Sequence, residues 1–513
     1  MLKQSTLLIS ILSITSFAIS SFADNRSEFE QWMKKETTSF QEYRDKRDKE
    51  FTGFLQSQWK EMQTFQGLVR DKTPKPVALP KAPKVVAEPV KVDEPKSTKP
   101  GPDTKTTPKQ TVVSPPAKPV IVEIPAIKPV APQVKKVKPV VIRPQHPPGT
   151  KLVVDFYGQK LVFYYDPKLL VSLPRPINEK AISNIWSRLS KANHESLLKQ
   201  INAQRMPLSL NDWGFTLLIH KISQQLHPGT KNHQSVFTWY MLTKAGYQAR
   251  IAYDRNYVYI LMPSRQQLFE APYFNFDNLR YYALSFDGIK RKPGRIFTYN
   301  GHYPGAKRRL DMSLNTALNT GRSPRERYLS FSYKQKDYRI NVAYDSQTVN
   351  YLKTYPQMDI SMYFKSEVNQ ATANPILKQL KPLVEDKSEL DAVNLLLRFV
   401  QTAFKYKTDQ QQFGVENYLF PEETLHYPYS DCEDRSVFFA WLVHNLLGLD
   451  VIGLNFPGHI AAAVGFSNEV KGDTVVHNGK KYTVTDPTYT NAIAGMTMPM
   501  YKSKKPGVIS ILN

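Results

Sequence analysis

The chain has 513 residues, a single cysteine and a formal charge of +24. One cysteine excludes an internal disulfide, so any fold must rest on cores large enough to do without one. The positive surplus sits largely in a proline-rich stretch and is otherwise scattered, which excludes the localised basic stripe of a nucleic-acid binder.

Residues 1–23 combine Lys3, an apolar run at 7–19 interrupted by serines and a threonine, and Ser21-Phe22-Ala23 ahead of Asp24. This is the pattern of a secretory signal peptide cleaved after Ala23, and the run is too short and serine-rich for a permanent membrane span. A periplasmic or secreted protein with no transmembrane segment after cleavage is expected. Residues 24–70 are dense in charge and carry Phe29, Trp32, Met33, Phe40, Tyr43, Phe51, Phe54, Leu55, Trp59, Met62 and Phe65. Steps of three, four, seven and eight predict an amphipathic, coiled-coil-like helical segment, with a break near Gly53. At 71–148 the composition changes, with 19 of the 38 prolines in the chain. Interleaved Lys-Pro and Pro-Val units predict a disordered linker of polyproline character, able to span on the order of 200 Å if extended. Contact with peptidoglycan or an envelope protein is expected of 24–148 if of any part, because exposed aromatics and lysines meet there.

The remainder repeats itself. Phe156 to Asp166 and Tyr333 to Asp345 both read as β-hairpins ending in Tyr-Asp. Asp212 and Asp391 head apolar helices 179 residues apart. Ser235-Val236-Phe237 precedes Ala245-Gly246 as Ser436-Val437-Phe438 precedes Leu447-Gly448. A tandem duplication is predicted, with one unit at 149–325 and another at 326–513. Aligning the two Ser-Val-Phe runs puts Lys231 where Cys432 stands, and the strand expected at 249–262 holds no histidine.

The second unit carries the chemistry. Asp431-Cys432-Glu433-Asp434 opens a predicted helix, at 436–447 apolar on most sides and stopped by Gly448. A helix N-terminus favours a thiolate. His459 begins a predicted strand at 459–464, and Asp486 closes another at 481–485. Nucleophile, general base and orienting carboxylate then follow in chain order. Tyr427, Tyr429 and Asn417 lie where a donor to a developing oxyanion is expected, and the extra stretch at 413–429 is a candidate groove wall or lid. Met496, Met498 and Met500 read as packing.

These motifs, over about 389–490, resemble the transglutaminase-like superfamily of papain-like cysteine enzymes, with Cys432, His459 and Asp486 as the matching triad. The resemblance implies an α+β chain with two tandem transglutaminase-like domains, the first degenerate, behind the helical segment and the linker. It implies an exported cysteine enzyme acting through a thioacyl intermediate on amide bonds of envelope proteins or peptides, hydrolysis favoured over transfer. The alternative is a noncatalytic envelope scaffold using both units as interaction modules. The acidic run also resembles that of bacterial transglutaminase-like cysteine proteases that bind calcium, which makes Asp431 and Glu433 the implied calcium ligands; no other cofactor is expected.

Overall fold

The computed structural model describes residues 22–70, 75, 78–84, 146–286 and 293–511. The predicted signal sequence up to Ser21 and the linker from 85 to 145 lie outside the described residues.

The predicted N-terminal helix is α1 (Phe22–Ser57), and it continues through Gly53. One helical glycine costs only about 1 kcal/mol relative to alanine, and burial of its neighbours Phe51 and Leu55 outweighs that. Phe51 meets the rings of Trp186, Tyr299 and Tyr303, while the buried Asp48 takes the ammonium of the buried Lys244. Upstream, Phe29, Trp32, Phe40 and Tyr43 remain exposed. The expectation of helix as far as residue 70 needs correction, because Trp59–Gln63 forms strand β1, antiparallel to Arg295–Tyr299. A sheet edge far along the chain supplies the pairing that local periodicity does not reveal.

The first half opens with the predicted hairpin, β2 (Thr150–Phe156) and β3 (Gln159–Tyr165). Tyr157 and Gly158, both at positive φ, make the two-residue turn whose twist suits a tight hairpin. Four helices follow: α2 (Glu179–Ser190), α3 (His194–Ala203), α4 (Asp212–Leu226) and α5 (Lys231–Lys244). Asn178, Asn193 and Asn211 cap the first three, each side chain accepting an otherwise unpaired N–H. Strands β4 (Arg250–Tyr253), β5 (Val258–Pro263), β6 (Tyr273–Phe276), β7 (Leu279–Leu284) and β8 (Arg295–Tyr299) then form an antiparallel sheet in the order β1-β8-β4-β5-β7-β6. The single strand expected at 249–262 is thus two, turned at Asp254, whose side chain accepts the N–H groups of Asn256 and Tyr257.

The second half repeats this order. Its hairpin is β9 (Pro324–Tyr333) and β10 (Lys336–Asp345), again turned by two residues at positive φ, Lys334 and Gln335. Helices α6 (Ser346–Leu352), α7 (Ile360–Phe364), α8 (Gln370–Val384) and α9 (Glu389–Ala403) lead to the short β11 (Lys405–Tyr406). Next come α10 (Asp409–Gln412), α11 (Pro421–His426), β12 (Tyr429–Ser430) and α12 (Cys432–Leu447). The closing strands are β13 (Asp450–Phe456), β14 (His459–Gly465), β15 (Thr474–His477), β16 (Lys480–Thr485) and β17 (Gly507–Ile509), in the order β15-β16-β14-β13-β17.

The chain is therefore α+β, with each half running hairpin, helices, sheet. One continuous apolar core passes through both halves, from Phe51 through Trp186, Trp239 and Phe399 to Val464. Strand β14 is buried on both faces: Ile460, Ala462 and Val464 join that core, and Ala461 and Ala463 join a second cluster with Tyr482, Val484 and Tyr489. Among the described residues no helix is long and apolar enough to cross a membrane.

The first part of the predicted linker is not free. Its described residues and those just before it contact the rest of the molecule: Phe65 pairs with Tyr273, Leu68 O accepts from Glu270 N, and the Arg70 guanidinium lies 3.4 Å from the centre of the Tyr418 ring. Farther on, Ala82 N donates to Thr490 O at 2.8 Å and Thr490 N to Pro80 O at 3.1 Å. This stretch has sheet edges and carboxylates to bind, so its proline content does not keep it in solvent.

Candidate functional site

Cys432 is the first residue of α12, as its sequence predicts, and Gly448 ends that helix at φ +66°. Asp434 reaches back to accept the N–H of Asp431 at 3.2 Å, closing the helix start. The helix is held by Arg435, fully buried, which donates to the carbonyls of Gln401 and Phe404 and to Ser430 Oγ. One turn beyond Cys432, Ser436 Oγ donates to Ile460 O at 3.1 Å, which ties the cysteine end of α12 to the first residues of β14.

His459 begins β14 and Asp486 follows β16, next to β14 in the sheet. Their side chains meet, with His459 Nε2 2.8 Å from Asp486 Oδ2. The other carboxylate oxygen, Asp486 Oδ1, accepts the N–H groups of Thr488 and Tyr489, so the carboxylate cannot swing away. The Tyr501 ring stacks on the imidazole at 5.2 Å and 10°. Burial above all, with the Asp486 carboxylate adding to it, raises the Tyr501 hydroxyl. Nδ1 of His459 is buried and has no hydrogen-bond partner. The nitrogen that Asp486 does not use is thus left for a proton from elsewhere.

The thiol does not occupy it. Cys432 Sγ donates to Glu433 Oε2 at 2.8 Å. Cys432, His459 and Asp486 are 1%, 3% and 2% exposed, a closed site. Burial, and after it the Glu433 carboxylate, pushes the thiol well above the ordinary cysteine range, against the lowering expected from a helix N-terminus alone. In this arrangement the cysteine is a protonated thiol. A cavity of about 400 Å³ lies elsewhere, lined by Arg44, Arg47, His194 and Lys244 where α1 meets α3.

The residues anticipated as oxyanion donors divide. Asn417 is engaged with Asp409 and Gln357, and Tyr427 meets Phe413 and His426 edge to face. Tyr429, in β12, lies under the Lys407 ammonium. A residue that the motifs did not flag is better placed: the Tyr406 hydroxyl is buried without a partner. Burial above all pushes that hydroxyl above its usual range. Tyr406 reaches the site because β11 pairs in parallel with β12, Tyr406 opposite Ser430, just ahead of the cysteine.

The two implied calcium ligands, Asp431 and Glu433, do lie together, and Asp409 joins them, with one carboxylate oxygen from each within 4.8 Å of the others. The structure nonetheless gives this cluster a different cation. Lys75 Nζ lies 2.8 Å from Asp431 Oδ2 and 3.1 Å from Glu416 Oε2, contacts Glu433 Oε1, and is 3.8 Å from Asp409 Oδ2. Burial works against the Lys75 charge, but Glu433 and Asp431 outweigh it and hold the ammonium protonated. Against its own burial, Glu433 is held down at about 2 by Lys75 and by the thiol hydrogen bond. Burial and crowding by the other carboxylates push Asp409 and Asp431 up instead. With the ammonium in place the cluster does not fit a calcium ion.

The first half shares the order hairpin, helices, sheet with the second but carries other residues at the corresponding element starts. Lys231 is the first residue of α5, as Cys432 is of α12, and Val258 is the first residue of β5, as His459 is of β14. No family model, curated protein or solved structure matches this chain.

Proposed function

We propose that the second half is a transglutaminase-like cysteine enzyme that cleaves amide bonds of exported proteins or peptides, and that the first half is its noncatalytic duplicate. The observation that carries this reading is the buried Asp486–His459 pair, whose free Nδ1 faces no partner while a cysteine heads the adjoining helix. Asp486 on Nε2 keeps the proton there and the lone pair on Nδ1. The reaction starts when Sγ turns from Glu433 towards His459. The thiol proton passes to Nδ1 and Sγ bonds to the substrate carbonyl carbon, whose oxygen takes up the negative charge. The C–N bond then breaks and the amine leaves with the proton from His459. Water attacks the thioester carbon, giving a proton to Nδ1, and as the C–S bond breaks the thiolate recovers it.

A second reading, a noncatalytic scaffold, is favoured by one observation: the cysteine is a buried, protonated thiol bound to Glu433. An activated ester separates the two. With 4-nitrophenyl acetate the enzyme reading expects a stoichiometric nitrophenolate burst and an acetyl group on Cys432 by mass spectrometry. His459→Ala should slow the burst at least a hundredfold, in line with loss of a general base, on the order of 10² to 10⁴. Equal acylation of wild type and His459→Ala would decide for the scaffold.

A further inference from the structure

We propose that the Lys75 ammonium is the resident cation of the acidic nest beside Cys432, supplied in cis by the chain where the sequence resemblance implies a calcium ion. The inference is independent of whether Cys432 turns over a substrate.

Three observations carry it. The first is stoichiometry: an ammonium has three N–H donors, and Lys75 Nζ spends them on Glu416, Asp431 and Glu433, with Asp409 as a fourth carboxylate in ion-pair range. Arg435, the cation on the same helix as Glu433, is turned to the carbonyls of Gln401 and Phe404 and to Ser430. The second is an unspent ligand atom. Asp431 Oδ1 is buried in a fully buried residue and has no hydrogen-bond partner. The 4.8 Å within which the oxygens of Asp409, Asp431 and Glu433 fall is twice a calcium–oxygen distance of about 2.4 Å, so the same carboxylates span a calcium ion once the ammonium is removed. The third is delivery. Lys75 comes from a stretch anchored on one side by Arg70 against Tyr418 and on the other by Pro80 and Ala82 against Thr490, four residues past Asp486. The Asn491 side chain also donates to Ala82 O at 3.1 Å. The ammonium thus reaches a nest that is 356 residues away in sequence from a position between these two anchors.

The arrangement also says what the cation does. Lys75 grips Glu433 Oε1 while Glu433 Oε2 holds the thiol, so the cation fixes the carboxylate that positions Sγ.

The test uses the full chain, with terbium luminescence sensitised by Tyr406 and Tyr418, calcium competition, and thermal unfolding in calcium or chelator. Wild type should show no calcium-displaceable terbium site and the same unfolding midpoint in both conditions. Lys75→Ala should gain one such site, at least tenfold tighter than any in wild type, and a midpoint that rises with calcium. Adding Glu433→Gln and Asp409→Asn to Lys75→Ala should remove that site. Lys75→Arg, which keeps the charge, should behave as wild type. Calcium binding by wild type with the affinity of Lys75→Ala would overturn the inference, as would a folded Lys75→Ala that binds none. If Lys75→Ala fails to fold under either condition, wild type and Lys75→Arg decide, and a calcium-dependent midpoint in either one overturns it.

Discussion

Tyr406 is the residue on which the chemistry of the site can be tested with least structural disturbance. Its hydroxyl is buried and unpartnered, so Tyr406→Phe removes no hydrogen bond and should leave the unfolding midpoint unchanged or slightly higher. If that hydroxyl meets the developing oxyanion, the acylation rate of Cys432 should fall by about 10² to 10³, with little change in binding. Stopped-flow acylation beside a melting curve reads both, and an unchanged rate removes Tyr406 from the reaction. Glu423 supports a separate prediction. Burial pushes it up to about 8, and it accepts the Phe420 N–H at 3.1 Å. A carboxyl raised above its unfolded value near 4.5 stabilises the fold fully below that value and loses this contribution as pH rises towards 8. Glu423→Gln, which copies the neutral form, should flatten the fall in stability between pH 5 and 8, a difference on the order of 3 kcal/mol by denaturant titration. A fall as steep as in wild type would assign it to other groups. Cys432, His459 and Asp486 were legible because each starts or follows a short, patterned run. Tyr406, Asp409 and Lys75 were not, because nothing in their own neighbourhoods signals a site; strand pairing and a distant anchor bring them there.

Among the elements, α1 shows how much of a helix is decided locally and how much by docking. Its periodicity was readable throughout, but among its described side chains the buried ones lie in the last third, where Phe51 and Leu55 enter the core and Asp48 meets Lys244. That pair is enclosed, with Lys244 lying 4.5 Å from the centre of the Tyr303 ring. Breaking a buried pair from one side leaves an uncompensated charge and typically costs about 3 to 5 kcal/mol. Asp48→Asn should therefore destabilise by that order, and hydrogen exchange should rise in 48–57 and in the paired strands β1 and β8 before the second half responds. Exchange unchanged in α1 would mean that its aromatic contacts alone hold it. The strand after the helix was not readable for the converse reason: Trp59–Gln63 has no alternating pattern, and its state is set by the backbone edge of β8. The stretch containing Lys75 and Ala82 was misread in the same way. Composition described the chain correctly as proline-rich but held no information about the carboxylates and the sheet-end loop that bind it.

On the scale of the whole molecule, the repeated order of hairpin, helices and sheet was visible in paired motifs, whereas the joint between the halves was not. The joint is close-packed backbone. Gly321 N donates to Tyr157 O at 2.8 Å, and Gln159 Nε2 donates to Thr320 O at 3.1 Å, so the turn of the first hairpin sits on the segment leading into the second. A Cβ on Gly321 would stand 2.3 Å from the carbonyl carbon and oxygen of Gly158, which are backbone atoms with no rotamer to yield. Overpacking of this kind costs about 1 to 3 kcal/mol, and rigid neighbours put Gly321→Ala at the upper end. Because one apolar core runs through both halves, the loss should not stay at the joint. Calorimetry of Gly321→Ala should show a single transition moved to lower temperature, coincident with fluorescence from Trp213 in the first half and Trp441 in the second. Two transitions, of which only one moves, would instead mean that the first half folds as an independent unit.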